Sequence, residues 1–137
     1  MMTQKIVNAI TYDIIGCAIE VHKELGPGLL ESVYEKCLGH VLQENGMKVE
    51  YQKAVPVNFR GLKIDADLRF DILVEALIGV ELKAVQDLLP IHEAQLLTYL
   101  KLLEKPKGIL INFNCTNIYR EGQKTFVTEH FRKLPKE

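Results

Sequence analysis

Two acids and a lysine within residues 68–85 have a spacing that chemistry could use. Leu68, Phe70, Ile72 and Val74 alternate with Arg69, Asp71 and Leu73, and further on Ile78, Val80, Leu82 and Ala84 alternate with Gly79, Glu81, Lys83 and Val85. Successive side chains of a strand point to opposite faces, so if both apolar sets face the core, Asp71, Glu81 and Lys83 share the other face. Setting Asp71 opposite Glu81 leaves Val74 facing Ile78 across the three-residue loop Glu75-Ala76-Leu77, a common hairpin length. Facing carboxylates then carry Cβ atoms about 5 Å apart. They repel unless a cation or a proton lies between them. Lys83 relieves part of that repulsion. A hard divalent ion such as Mg²⁺, which takes one or two carboxylates plus waters and phosphate oxygens, relieves more. Such an ion polarises a phosphodiester and acidifies a bound water, and an adjacent lysine stabilises charge developing on the phosphate. The competing interpretation is a solvated strand face with a surface ion pair worth about 0–1 kcal/mol.

Further polar groups recur at helical spacing. Gln95 and Tyr99 are four residues apart and so lie on one helical face, with His92 close to it. An amide and a phenol so placed could touch a phosphate or brace the lysine, or form a polar stripe at a helix–sheet boundary; His92 reads as a solvent-facing helix residue. Glu31 and Tyr34 also share a face, and the helix dipole alone favours an acid at Glu31, in a first turn.

These residues need elements to hold them. Ile6, Ile10, Ile14, Cys17, Val21 and Leu25 recur at helical spacing and predict a helix from Thr3 to Leu25, ended by Gly26-Pro27-Gly28. A second helix is expected from Leu29 to Glu44, with Leu30, Val33, Cys37, Leu38 and Val41 as its apolar stripe and Asn45-Gly46 as its stop. From Lys48 the period becomes two: Val49, Tyr51, Val55, Val57 and Phe59 read as a strand turning at Arg60-Gly61. Paired strands follow at Leu68–Val74 and Ile78–Val85, then a helix from Pro90 to about Glu104, which suits proline in its first turn. KGILINF, from Lys107 to Phe113, reads as a strand buried on both faces. NIYREGQKTFVTEH reads as a terminal hairpin around Gly122, followed by a loose basic tail after Phe131. The order predicts an α/β sheet flanked by helices.

The 137 residues, 47% hydrophobic and 26% charged, suit one globular domain with a real core. No repeat or linker divides them. The formal net charge of -1 displays no basic field for nucleic acid, which weighs mildly against DNA. Cys17, Cys37 and Cys115 form no CxxC pair, so neither a disulfide framework nor a zinc site is indicated. There is no glycine-rich phosphate loop and no nucleophile elbow. Without a signal-like N-terminus or a long apolar run, the expectation is a soluble, cytoplasmic protein with no membrane association.

With these residues in view, the sequence resembles the GxxExxY proteins, small bacterial and archaeal domains grouped with the PD-(D/E)xK nuclease superfamily. Gly28, Glu31 and Tyr34 fall on the naming motif, and the similarity runs through VHKELGPGLLESVYE, QKAVPV, RFDILV, GVELKAV, HEAQLLTYL and GILINF before fading after Asn114. The resemblance implies a restriction-endonuclease-like core: a central mixed β-sheet flanked by helices. It implies Asp71 and Glu81 as ligands of Mg²⁺ or Mn²⁺, the Leu82 carbonyl as a third, Glu31 completing the shell, and Lys83 as the catalytic lysine. Gln95 and Tyr99 match the Gln-x-x-x-Tyr helix motif of nuclease domains in recombination-repair helicases. The implied activity is phosphodiester hydrolysis, in DNA before RNA. A homodimer is compatible, since one small domain touches few phosphates. Phe70 stands where the superfamily name has proline, and Asp65 and Asp67 are rival acids upstream. The superfamily also includes domains that bind without cutting, which leaves a silent nucleic-acid- or protein-binding module as the alternative.

Overall fold

The computed structural model describes residues 1–137. Helix α1 spans Gln4–Leu25 and is capped by Thr3, whose hydroxyl accepts the Ile6 N–H at 3.1 Å. Its buried face is Val7, Thr11, Ile14, Cys17, Ala18 and Val21, whereas Ile6 and Leu25 are exposed. Gly26, at φ 68, ends it in a conformation that suits glycine. Helix α2 spans Glu31–Glu44 and buries Tyr34, Leu38, Gly39 and Leu42. This corrects the expected stripe, because Leu30 and Val33 are exposed. The cause is Tyr34, fully buried and stacked on Phe113 with ring centroids 4.3 Å apart. Its hydroxyl donates to the Gly26 carbonyl and accepts the Leu29 N–H, tying the α1–α2 turn to the core. Tyr34 is therefore a core residue, not a partner of Glu31 on a polar face.

Five strands form one sheet in the order β1-β2-β3-β4-β5: Val49–Phe59, Leu62–Val74, Ile78–Lys83, Lys107–Asn112 and Gln123–Val127. Strands β1, β2 and β3 are antiparallel in succession, while β3 and β4 are parallel and joined by helix α3, Pro90–Leu102. Each parallel connection needs such a crossover. The expected α/β architecture, a mixed sheet flanked by helices, is what the chain adopts. One layer packs Val7, Ile14, Tyr34 and Leu38 of the N-terminal helices against Ile72, Val80, Leu82 and Ile109. The other packs Leu96, Tyr99 and Leu100 of α3 against Val55, Phe70 and Leu110. The sheet is thus buried on both sides, and every residue of β4 is buried, as an uninterrupted apolar run suggests.

The sequence predicts a terminal hairpin around Gly122, and the structure differs. Ile118–Gly122 forms a π-helical turn, and β5 pairs antiparallel with β4, with Lys107 opposite Val127. The glycine turn sends the chain back along a strand already in the sheet, which supplies β4 with its second partner. The tail is not loose either. After a short helix α4, Glu129–Arg132, the Pro135 and Lys136 carbonyls accept the N–H groups of Gln4 and Lys5 at 2.8 and 3.1 Å. Those N–H groups lie in the first turn of α1, where no intrahelical partner exists. No helix is long and apolar enough to cross a membrane.

Candidate active site

The β2–β3 hairpin fixes where the acids meet. Its pairing runs Val74 to Ile78, Leu73 to Gly79 and Ile72 to Val80, the register expected from the loop length. Glu75 and Ala76 make the turn at φ 53 and 55. One step further the ladder would pair Asp71 with Glu81, and there backbone pairing gives way to side chains. The Asp71 N–H donates to Glu81 Oε1 at 3.0 Å, and the Leu82 N–H donates to Asp71 Oδ2 at 2.8 Å. Each carboxylate accepts an amide that the ladder no longer pairs.

The simple alternation expected along β2 breaks at the same point. Ile72 packs in the α1/α2 layer, whereas Phe70, two residues earlier, packs in the α3 layer. Asp71 lies at this changeover. On the neighbouring strand Gln52 has φ 51, and the β1–β2 ladder skips the Gln52–Asp71 step. The acids therefore sit in a local opening between strands, not on a solvated strand face.

Their electrostatics follow from that burial. Glu81 is 9% exposed, and desolvation first, then the Asp71 charge, pushes its pKa up to about 8. Asp71 is raised as well, chiefly by burial, against the lowering effect of the Leu82 N–H. The charge of Lys83 favours ionisation of both acids. It forms no salt bridge with either, for the five ion pairs of the molecule lie elsewhere.

Glu31 stands at the N-terminus of α2, its carboxylate accepting the Ala84 N–H at 3.1 Å, and its charge raises Asp71. This ties the helix to the end of β3, one residue beyond Lys83. Two further residues, Glu35 and Gln52, join the site through tertiary packing. Glu35, one turn after Glu31, accepts from Gln52 Nε2 at 2.7 Å, and the same amide lies 3.5 Å from Asp71 Oδ1. The pKa of Glu35 is raised by burial and by Asp71. The four-residue Glu31–Glu35 spacing was a readable signal; the left-handed backbone of Gln52 was not.

Gln95 and Tyr99 are joined to each other, Gln95 Nε2 donating to Tyr99 Oη at 2.7 Å, and Tyr99 packs edge-on against Phe70 with centroids 5.9 Å apart. They border Asp71 through Phe70 and make no direct hydrogen bond to the acids or to Lys83. His92 is a cap: Nδ1 accepts the Leu89 N–H at the start of α3. Asp67 grips Arg69 at 3.0 Å on the exposed part of β2, and the Asp65 carboxylate accepts the Asp67 N–H, so neither rivals Asp71.

The donor set can be tested against a divalent cation. Glu81 keeps Oε2 free, and Asp71 Oδ1 carries only the long contact from Gln52. The Lys83 carbonyl accepts the Phe113 N–H across β4, so the Leu82 carbonyl, one residue earlier, faces β2 and the acids. Two carboxylates and a carbonyl, the rest of the shell left to water or phosphate, fit a hard ion of the Mg²⁺ class. No three His, Cys, Asp or Glu side chains gather into a closed cage, and Glu31 stays on its amide. The arrangement can hold a proton or a cation between two acids, with one lysine alongside.

A family model described as the PD-(D/E)XK nuclease superfamily matches residues 8–125. No curated protein and no solved structure matches the chain.

Proposed function

The chain belongs to the PD-(D/E)XK nuclease superfamily, and from that premise we propose that it hydrolyses phosphodiester bonds, in DNA before RNA, with Mg²⁺ or Mn²⁺ as cofactor. The observation that carries the reading is the pair of half-buried Asp71 and buried Glu81, placed where the β2–β3 ladder opens, with Lys83 two residues beyond Glu81.

Asp71, Glu81 and the Leu82 carbonyl would hold the ion, and Glu31 and Glu35 would add negative charge nearby. When bound, the ion supplies Lewis acidity to the phosphate and lowers the pKa of an attacking water. Glu81 must give up its proton for the ion to enter, since a ligating carboxylate is ionised. Lys83, free of any ion pair, is available to a phosphate oxygen and stabilises the charge that grows there. Gln95 and Tyr99, fixed to each other on α3, orient the strand being cut. Replacing Glu81 or Lys83 by Ala is expected to abolish metal-dependent cleavage with the circular dichroism unchanged, and only Glu81→Ala should also weaken Mn²⁺ binding. Full activity in both variants overturns the assignment.

A second reading, a binding module of the same fold that does not cut, draws on one observation. Both carboxylates are already engaged by backbone amides, so the opening is structurally satisfied without an ion. Tight binding of DNA with no turnover in Mg²⁺ or Mn²⁺ is the signature of that reading.

A further inference from the structure

Strands β1 and β2 run past the core as a two-stranded ribbon. Residues 58–64 are all exposed, and the tip pairs Phe59 with Leu62 and Asn58 with Lys63. Phe59 is 59% and Leu62 60% exposed, and as cross-strand partners they form a contiguous apolar tip. The Arg60 guanidinium lies 5.2 Å above the Phe59 ring, and the turn is fixed by Asn58 Oδ1, which accepts the Gly61 N–H at 3.1 Å. Residues 58–64 carry two cations, Arg60 and Lys63, and no acid, although the whole chain has net charge -1. Neither cation takes part in a salt bridge. Behind them lies a groove of ≈ 850 Å³ between the ribbon and α3, where Lys63, Arg69 and Lys101 are balanced by Asp65, Asp67 and Glu104, so the unpaired positive charge is confined to the tip.

We propose that this ribbon is a DNA-binding arm whose tip, Phe59, Arg60 and Lys63, enters the major groove of a duplex extending from the acid site. Charge and shape select the partner. Unpaired cations with no acid between them suit phosphates, and exposed Phe and Leu side chains suit the thymine methyl groups that line a major groove. A two-stranded ribbon fits the B-form major groove, which is about 12 Å wide, whereas the A-form RNA groove is too narrow for side chains to read. A single strand calls for a row of aromatic platforms, and the tip has one aromatic residue. Asp71 and Leu62 are nine positions apart on β2. At about 3.3 Å per residue the tip reaches about 30 Å from the acid, close to one turn of duplex.

The arm rests on the nuclease reading only for where the cut falls, so binding is measured apart from cleavage. The full chain in EDTA is titrated into a labelled duplex of about 30 base pairs, and fluorescence anisotropy is followed at several salt concentrations. The Arg60→Ala/Lys63→Ala double variant should bind about tenfold or more weakly, with a salt dependence shallower by about 1.8, near 0.9 for each phosphate lost. Phe59→Ala should weaken binding without changing that slope. Unchanged affinity and slope in the double variant overturn the arm, as does a wild-type protein that binds no duplex. A Phe59→Ala/Leu62→Ala variant that turns a dimer into a monomer in sedimentation while keeping duplex affinity also overturns it, assigning the tip to self-association. A hairpin-closed duplex of about six base pairs spans about 20 Å, too short to reach the tip, and is to be cut equally by wild type and variant. Duplex bound but never cut leaves the arm standing and removes the nuclease reading. The duplex of about 30 base pairs, cut equally well by wild type and the arm variants, removes the arm alone.

Discussion

Glu81 concentrates the physical chemistry of this molecule. A carboxyl whose pKa lies near 8 in the folded protein, against about 4.3 in an unfolded chain, binds a proton in the native state that the unfolded state releases. Stability from this group is therefore complete below about pH 4 and is lost progressively as pH rises towards 8. Asp71 and Glu35, also raised, act in the same direction. Thermal unfolding in EDTA is expected to show a Tm falling from pH 5 to pH 8.5, with a smaller fall in Glu81→Gln, which has no proton to lose. A wild-type Tm that rises over that range contradicts the assignment. Tyr34 makes the opposite kind of contribution. It looked like a polar partner of Glu31, yet its ring is core and its hydroxyl binds the turn before α2. Tyr34→Phe should lower stability by about 1 kcal/mol, the worth of one hydrogen-bonding group, and Tyr34→Ala by about 3–5 kcal/mol, as read by urea unfolding. Equal costs for the two substitutions contradict the role given to the hydroxyl.

Among the elements, the β2–β3 hairpin was the most legible. Its loop length and alternation fix the register, and the register alone brings Asp71 to Glu81. The alternation broke where the chemistry is, because Phe70 crosses to the α3 layer and Gln52 adopts a left-handed backbone, neither of which periodicity reveals. The stripe of α2 was misread for a related reason: Tyr34 counts as polar by its hydroxyl and as core by its ring. The partner of the terminal strand was not legible, because a buried apolar strand such as β4 accepts partners on both edges, and sequence does not say which segment arrives. Gly79 offers a test of the hairpin's packing. A Cβ there would lie 2.5 Å from Cε1 of Phe70, a fully buried ring that cannot swing aside. Gly79→Ala is expected to cost about 1–3 kcal/mol and to disturb the segment carrying Asp71. A Tm equal to that of wild type would show that the ring has room the structure does not reveal.

At the scale of the whole molecule, two helical layers bury the sheet on both sides, and its one buried acid, Glu81, lies with half-buried Asp71 at the opening between β2 and β3. The terminal segment closes over the start of α1. The fold class was readable because helical and strand periods alternate cleanly along the chain. The candidate site was readable only in part: Asp71, Glu81 and Lys83 stand out by spacing, while Glu35 and Gln52 arrive through tertiary packing. The measurement that bears most directly on the central claim is cleavage of single-stranded, duplex and gapped DNA by wild type and Lys83→Ala in Mg²⁺, Mn²⁺ or EDTA. Wild type is expected to cut only with the metal present, and Lys83→Ala not at all. No cutting by either protein on any substrate, or cutting that survives EDTA, would contradict that expectation.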